Sequence, residues 1–144
     1  MATGVDRYLN QTSHGERSNE IRVDENTVDD LQMGLATGRF TSEQLVNAYL
    51  TRISNIDSSG PSLNSIIELN PVALSEAKVL DEERKNGFVR SNLHGIPILL
   101  KDNISTLGPM ETTAGSLALL GLRPNIEAPI VTKLKDAGVV ILGK

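Results

Sequence analysis

The sequence Leu93-His-Gly-Ile-Pro-Ile-Leu-Leu-Lys-Asp-Asn-Ile104 contains a nearly unbroken apolar run that is opened by Gly-x-Pro and closed by a lysine. Apart from Pro97, every residue from 96 to 100 is isoleucine or leucine. Such a run predicts a β-strand over residues 95–100 that is buried on both faces. Because Lys101 follows with no spacer, a lysine side chain is expected at the buried end of this strand.

Two interpretations of Lys101 are open. Burial disfavours the charged form of a lysine, and a neutral lysine can act as a base. Alternatively, the long side chain reaches solvent, or pairs with Asp102 or another carboxylate. A lone lysine after a strand favours the second interpretation, so only its surroundings can favour the first.

Two further sequence blocks follow, Glu111-Thr-Thr-Ala-Gly-Ser-Leu-Ala-Leu119 and Leu134-Lys-Asp-Ala-Gly-Val-Val-Ile-Leu-Gly-Lys144. In this order and at this spacing, the three blocks resemble the amidase signature family of serine hydrolases, over about residues 27–144. The resemblance implies hydrolysis of carboxylic amide C–N bonds by a Ser–cisSer–Lys triad, with Lys101 at the position of the catalytic lysine. It also implies an α/β fold with a mixed central sheet flanked by helices, and chemistry without a cofactor or a metal.

The second block contains candidate pocket residues. Thr113, Gly115 and Ser116 match it, and the resemblance implies that this loop, with the backbone amides of residues 112–116, lines an acyl pocket. The family's bridging and nucleophilic serines lie in a Gly/Ser-rich segment well downstream of the lysine, and these 144 residues contain no such segment. The adjacent serines in Ser58-Ser-Gly60 precede the lysine and predict a turn.

Three functional hypotheses follow. In the first, the chain is the N-terminal part of an amidase and is inactive alone, because it has the base but neither serine. In the second, it is a non-catalytic amidase-like remnant or an interaction module. In the third, it is a small enzyme that uses a dyad of Lys101 and Ser116. We prefer the first.

The first hypothesis divides the chain into a flexible tail at residues 1–25 and an incomplete amidase domain at residues 26–144. This domain would act on a small-molecule amide once a downstream segment completes it. An incomplete sheet would leave an exposed apolar edge, and such edges promote self-association.

The composition argues against several other functions. A net charge of −4 with no basic cluster argues against nucleic acids and anionic membranes as partners. The absence of cysteine excludes disulfides and thiolate metal sites, and His14 and His94 are too far apart in sequence to indicate a metal site. No apolar signal region or membrane-spanning segment is evident, so we expect a soluble, cytoplasmic protein.

Capping residues and apolar periodicity predict the remaining elements. Thr27 with Asp30, and Thr41 with Gln44, have the spacing of capping boxes, and Asn70-Pro71 supplies an N-cap and a first-turn proline. Helices are predicted over residues 27–38, 41–57, 70–85 and 129–138, a short helical piece over 117–120, and further strands over 63–69 and 139–142.

Two polar features are interpreted as structural. The charged run at residues 81–85 is expected to form a solvated helix face. His94 is expected to form hydrogen bonds within the turn before Gly95, since the mechanism implied by the resemblance uses no histidine.

Overall fold

The computed structural model describes residues 21–144, in which four α-helices surround a two-stranded parallel sheet. Of the predicted tail, residues 1–20 lie outside the described residues. The order β1, α4, β2 forms the predicted βαβ unit with parallel strands, and the fold is α/β. The elements are α1 (Val28–Ala36), α2 (Ser42–Ile56), α3 (Ala73–Lys85), β1 (Pro97–Leu99), a 3₁₀ helix (Leu117–Leu119), α4 (Pro129–Asp136) and β2 (Val140–Gly143).

The first two helices begin at the predicted capping boxes. The Thr27 hydroxyl accepts a hydrogen bond from the Asp30 backbone N–H at 3.2 Å, and the Asp30 carboxylate accepts one from the Thr27 N–H at 3.0 Å. Thr41 and Gln44 exchange the same pair of bonds at 3.1 and 3.0 Å at the start of α2. These bonds satisfy N–H groups that have no partner within the first turn of the helix, which explains why both starts can be predicted from sequence.

Strand β2 is buried along its whole length, as its apolar sequence predicts. Val140 and Leu142 pack into a cluster with side chains of α2 and α3. Ile141 points to the opposite face, where it packs with Leu100 and with Val131 of α4. Each such side chain contributes about 1.5–3 kcal/mol on full burial, so β2 is the centre of the apolar core.

The prediction that β1 is buried on both faces was wrong. The strand covers only Pro97–Leu99, and the Leu99 side chain is 48% exposed, although Ile96 and Leu100 beside the strand are buried. Two features explain the difference. The pairing with β2 becomes irregular between Ile98 and Leu99, and within residues 21–144 β1 has a neighbouring strand on one edge only.

The predicted strand at residues 63–69 is reduced to a single antiparallel bridge between Leu69 and Gly143. Ser62 and Asn64 adopt positive φ angles of 54° and 51°, which interrupt an extended backbone at the start of this segment. The bridge nevertheless occupies the edge of β2 opposite to β1, so β2 has one parallel and one antiparallel neighbour.

Asn70 does not cap α3 as predicted. The helix begins at Ala73, and its N-cap residue makes no side-chain capping bond. The Asn70 side chain instead donates to the Ile141 carbonyl at 2.8 Å and accepts from the Val72 N–H at 3.1 Å. It therefore joins the start of α3 to the central strand, a role that depends on a residue 71 positions away.

The charged run at residues 81–85 is not a uniformly solvated face. The Asp81 carboxylate accepts hydrogen bonds from the backbone N–H groups of Ser42 at 2.7 Å and Glu43 at 3.0 Å, so it stabilises the N-terminus of α2. Arg84 donates to the backbone carbonyl of His94 at 2.9 Å. These two residues connect α3 to α2 and to the turn before β1.

His94 is a structural residue, as predicted. Its ring is fully buried, with Nε2 2.9 Å from the Leu80 carbonyl and Nδ1 3.3 Å from the Arg90 backbone nitrogen. Since the Arg90 N–H donates to Nδ1, the hydrogen of the neutral ring lies on Nε2 and is donated to Leu80. Gly138, with φ of 85°, lies so close that a Cβ there would be 2.8 Å from Nδ1.

Among the described residues, no helix is both long and apolar enough to cross a membrane.

We expect the purified chain to self-associate through the free edge of β1. Unpaired strand edges and exposed apolar side chains promote association, and a charge on the edge opposes it. Leu99→Lys should therefore reduce the association measured by sedimentation velocity over a concentration series. Val79→Lys is the matched control, because Val79 is 57% exposed but lies on α3.

The same experiment has a clear negative result. A monomer at all concentrations, with a sharp and reversible two-state melt, would contradict an association through this edge.

Candidate active site

Lys101 lies at the mouth of a pocket of about 300 Å³ at the end of β1. Its side chain is exposed, so the burial predicted from sequence is not provided by the described residues. The exposure has the same cause as that of Leu99, which is the uncovered side of β1. The pocket is lined by Ser65, Ile67, Leu100, Lys101, Asp102, Asn103, Ala114, Gly115 and Lys144.

The side chain of Asp102 connects Lys101 to the predicted pocket loop. Its Oδ2 atom accepts hydrogen bonds from the Thr113 hydroxyl at 2.5 Å, the Thr113 N–H at 3.2 Å and the Gly115 N–H at 3.3 Å. The structure thus brings Thr113 and Gly115 to the residue that follows Lys101, as expected if the three contribute to one site.

Asp102 is ionised despite being only 6% exposed. Burial by itself would raise the pKa of this carboxyl group, but the hydrogen bonds from Thr113 and Gly115 and the positive charge of Lys144 hold its pKa below the ordinary value. The other oxygen, Oδ1, is buried without a hydrogen-bond partner, so all the bonds that stabilise the charge are concentrated on Oδ2.

The loop that Asp102 binds has an unusual backbone conformation. Ala114 and Gly115 both have positive φ angles, of 52° and 74°. For a residue with a Cβ, such as Ala114, this conformation costs about 1–2 kcal/mol. The hydrogen bonds to Asp102 offset that cost, so the carboxylate holds the loop in a shape it would not adopt alone.

The backbone amides of residues 112–116 all donate within the protein. They therefore shape the pocket wall, but in this conformation they offer no free N–H group to the oxygen of a bound substrate. The acceptors are the Leu122 carbonyl for Thr112, the Asp102 carboxylate for Thr113 and Gly115, the Asp102 carbonyl for Ala114 and the Thr113 carbonyl for Ser116.

Ser116 is separate from the pocket. It occupies the N-cap position of the 3₁₀ helix without a side-chain capping bond, and it is not among the pocket-lining residues. Within residues 21–144, no hydrogen bond joins it to Lys101. Ser59 lies in the turn after α2 and donates to the carbonyl of Ser54, in agreement with the turn predicted there.

Lys144 is a site residue that the sequence reasoning missed. Only 4% exposed, it donates from Nζ to the Thr112 hydroxyl at 2.6 Å, the Glu111 carbonyl at 2.7 Å and the Ile104 carbonyl at 3.0 Å. Burial lowers the pKa of Lys144, and the nearby carboxylates of Asp102 and Glu68 oppose that shift. The signal that could have revealed it is the one used for Lys101, a lysine directly after an apolar strand.

In the part of the chain that the structure describes, no three His, Asp or Glu side chains cluster in a way that could hold a metal ion.

Comparison with known proteins identifies the family. Residues 44–144 match the protein family described as Amidase. The chain belongs to the amidase family. The family predicted from the three sequence blocks is therefore confirmed.

Several relatives of this amidase-family chain are similar over most of its length. The native peptide amidase from Stenotrophomonas maltophilia superimposes with a TM-score of 0.81 and 53% sequence identity, covering 84% of this chain. An amidase family protein from Bacillus anthracis gives a TM-score of 0.80 and 43% identity over 85% of the chain. A glutamyl-tRNA(Gln) amidotransferase from Chloroflexus aggregans has a polypeptide that is 40% identical over 82% of the chain.

These relatives are much longer than the present chain. The matched region is 24% of the amidotransferase polypeptide, of the peptide amidase and of the Bacillus anthracis protein. The chain therefore spans about a quarter of the length of each of these relatives.

We expect the contact between Asp102 and the loop to persist until the solution is strongly acidic. Because the pKa of Asp102 is lowered on folding, its contribution to stability is fully present above the ordinary value of 3.8 and is lost as the pH falls through the lowered value. The NMR shifts of the Thr113 and Gly115 amide protons should therefore titrate with a midpoint below 3.8.

Two variants make this titration specific. Asp102→Asn should abolish it, whereas Asp136→Asn, which removes an exposed carboxylate at the end of α4, should leave it unchanged. A midpoint above 3.8, or a titration that survives in Asp102→Asn, would show that another group controls the loop.

Proposed function

We propose that this chain supplies the lysine base of an amidase that hydrolyses carboxylic amide C–N bonds, and that Lys101 is that base. The observation that carries the proposal is the position of Lys101, which opens onto the same pocket as the loop that Asp102 holds through Thr113 and Gly115. The family match over residues 44–144 supports amide hydrolysis as the reaction class.

In this proposal the lysine acts in its neutral form. A serine hydroxyl attacks the amide carbonyl carbon, its proton passes through a bridging serine, and the amine of Lys101 accepts the proton from that serine. The proton is then returned to the leaving nitrogen as the C–N bond breaks. The chain contributes the base and one wall of the pocket, while both serines and the oxyanion donors come from a downstream segment.

The two-stranded sheet is, in the same proposal, the first part of a larger mixed sheet flanked by helices. Further strands would pair with the free edge of β1 and cover Leu99 and Lys101. The coverage of about a quarter of each relative supports this, because three quarters of those proteins has no counterpart in the chain. Covering Lys101 would also provide the burial that favours a neutral amine.

A small-molecule amide is the proposed substrate of the completed site, and no cofactor is required. The 53% identity to a peptide amidase favours amides of peptides within this class. Negative net charge and the absence of a basic cluster give no support to nucleic acids or anionic membranes as partners.

The second candidate is an amidase-like remnant that acts as an interaction module. It is favoured by the large apolar side chains that remain exposed around the site. Among them are Leu63, Ile67, Leu99, Leu117 and Leu120.

We expect the role of Lys101 to be measurable in a chimaera in which all 144 residues replace the matching quarter of the Stenotrophomonas maltophilia peptide amidase. Lys101→Ala should lower kcat by on the order of 10⁴- to 10⁶-fold, the range seen when one member of a catalytic triad is removed. Lys101→Arg should be equally inactive, because a guanidinium stays protonated and cannot accept a proton.

The control in this chimaera is Lys133→Ala, which removes an exposed lysine of α4 and should leave kcat unchanged. An active Lys101→Arg variant would refute the assignment of the base. An inactive but folded chimaera would favour the remnant over the hydrolase.

We also expect the 144-residue chain alone to show no amide hydrolysis and no covalent labelling by a fluorophosphonate probe. A base without a nucleophile and oxyanion donors cannot form an acyl-enzyme. Mass spectrometry of the probe-treated chain is the measurement. Labelling of Ser116 that disappears in Lys101→Ala would instead establish the dyad of these two residues.

A further inference from the structure

The buried Lys144 has no part in the proton transfers proposed above, yet its surroundings are built for a charged ammonium group. An ammonium carries three N–H donors, and three oxygens accept from Nζ at 2.6–3.0 Å. A buried cation is tolerated only when it is fully hydrogen-bonded and faces negative charge. Both conditions are met here, because the carboxylates of Asp102 and Glu68 lie near enough to favour the charged form.

The three acceptors belong to the two ends of one excursion of the chain. The Ile104 carbonyl lies just after Lys101, and the Glu111 carbonyl and Thr112 hydroxyl lie just before the loop that Asp102 binds. One side chain therefore closes the segment between Lys101 and Thr113 from below.

The backbone of Lys144 is itself held in place. Its N–H donates to the Glu68 carbonyl at 2.8 Å, and its carbonyl accepts from the Glu68 N–H at 3.2 Å. The Glu68 carboxylate in turn accepts from the Glu111 N–H at 2.8 Å. The end of β2 thus holds the same segment through two side chains, one positive and one negative.

We propose that Lys144 is a positioning residue for the amidase reaction, holding the Asp102–Thr113 loop in the geometry that faces Lys101. The inference rests on the proposed function of Lys101. The physical connection runs from the Lys144 ammonium to Thr112, to the adjacent Thr113, and through its hydroxyl and N–H to the Asp102 carboxylate. Lys101 and Lys144 also line the same pocket.

Amide hydrogen exchange of the 144-residue chain tests whether Lys144 holds the loop. Lys144→Met keeps the length and apolar stem of the side chain and removes its three donors. We expect exchange of the Thr113 and Gly115 amides to accelerate by at least about tenfold, with little change in the core strand β2.

Lys135→Met is the matched control for this comparison. Lys135 also donates from Nζ to a backbone carbonyl, that of Leu107, and to a carboxylate, that of Glu127. It does not line the pocket. Loss of protection at Thr113 and Gly115 in both variants, or in neither, would overturn the inference.

Kinetics of the chimaera test whether this contact matters for the reaction. A misplacement of about 1 Å can cost about a hundredfold in rate. We therefore expect Lys144→Met to lower kcat by about tenfold or more with KM changed less than about threefold, and Lys135→Met to change neither. A merely stabilising lysine would leave kcat of the folded enzyme unchanged.

Thr112→Val is a milder second variant that removes one acceptor and keeps the side-chain shape. In a double-mutant cycle its effect on kcat should not add to that of Lys144→Met, because both act on one contact. If Lys144→Met fails to fold, Thr112→Val decides: unchanged kcat and unchanged exchange at Thr113 would overturn the inference.

The Lys101→Ala chimaera separates this inference from the proposed function. An active Lys101→Ala variant would refute the base, whatever Lys144→Met does. An inactive Lys101→Ala variant beside a fully active Lys144→Met would refute the positioning role alone.

Discussion

Both edges and both faces of β2 are occupied, and the other elements are placed accordingly. β1 pairs with one edge, and the segment at Leu69 pairs with the other. The side chains of Val140 and Ile141 point to opposite faces, where helices cover them. Unpaired backbone groups at this depth would cost about 1–3 kcal/mol each, so the chain must return to β2 from both sides. The Asn70 side chain, which binds the Ile141 carbonyl, is part of that requirement.

The location of the site follows from the parallel pairing of β1 and β2. Parallel strands end at the same edge of a sheet, and ligands of α/β proteins commonly bind beyond the carboxyl ends of the strands. Lys101 follows β1 and Lys144 follows β2, so both side chains reach one pocket although they are 43 positions apart in sequence. Asp102 then connects this edge to the loop at Thr113, which gives the pocket its third side. A local pairing choice thus brings together residues from three sequence blocks.

Much of this architecture could be predicted from sequence because its signals are local. The capping boxes at Thr27 and Thr41 gave correct helix starts, and the apolar run of β2 gave a correctly buried strand. The failures involve partners that are distant in the chain. Asp81 stabilises the N-terminus of α2 instead of facing solvent, and Leu99 is exposed because nothing in residues 21–144 covers that side of β1. Charge and hydrophobicity limit where a residue can lie, but neither specifies which neighbour is present.

The two lysines of the site show the same limit at its sharpest. Each directly follows an apolar strand, yet Lys144 is buried and Lys101 is exposed. An ammonium can be buried only where a full set of acceptors surrounds it, and residues 104–112 supply that set to Lys144. No comparable set surrounds Lys101 within the described residues. A lysine whose three N–H groups are all bound to protein oxygens is stabilised as a cation and is a poor base. Lys101 lacks those bonds, and this is the physical reason to assign the proton-accepting role to it and the structural charge to Lys144.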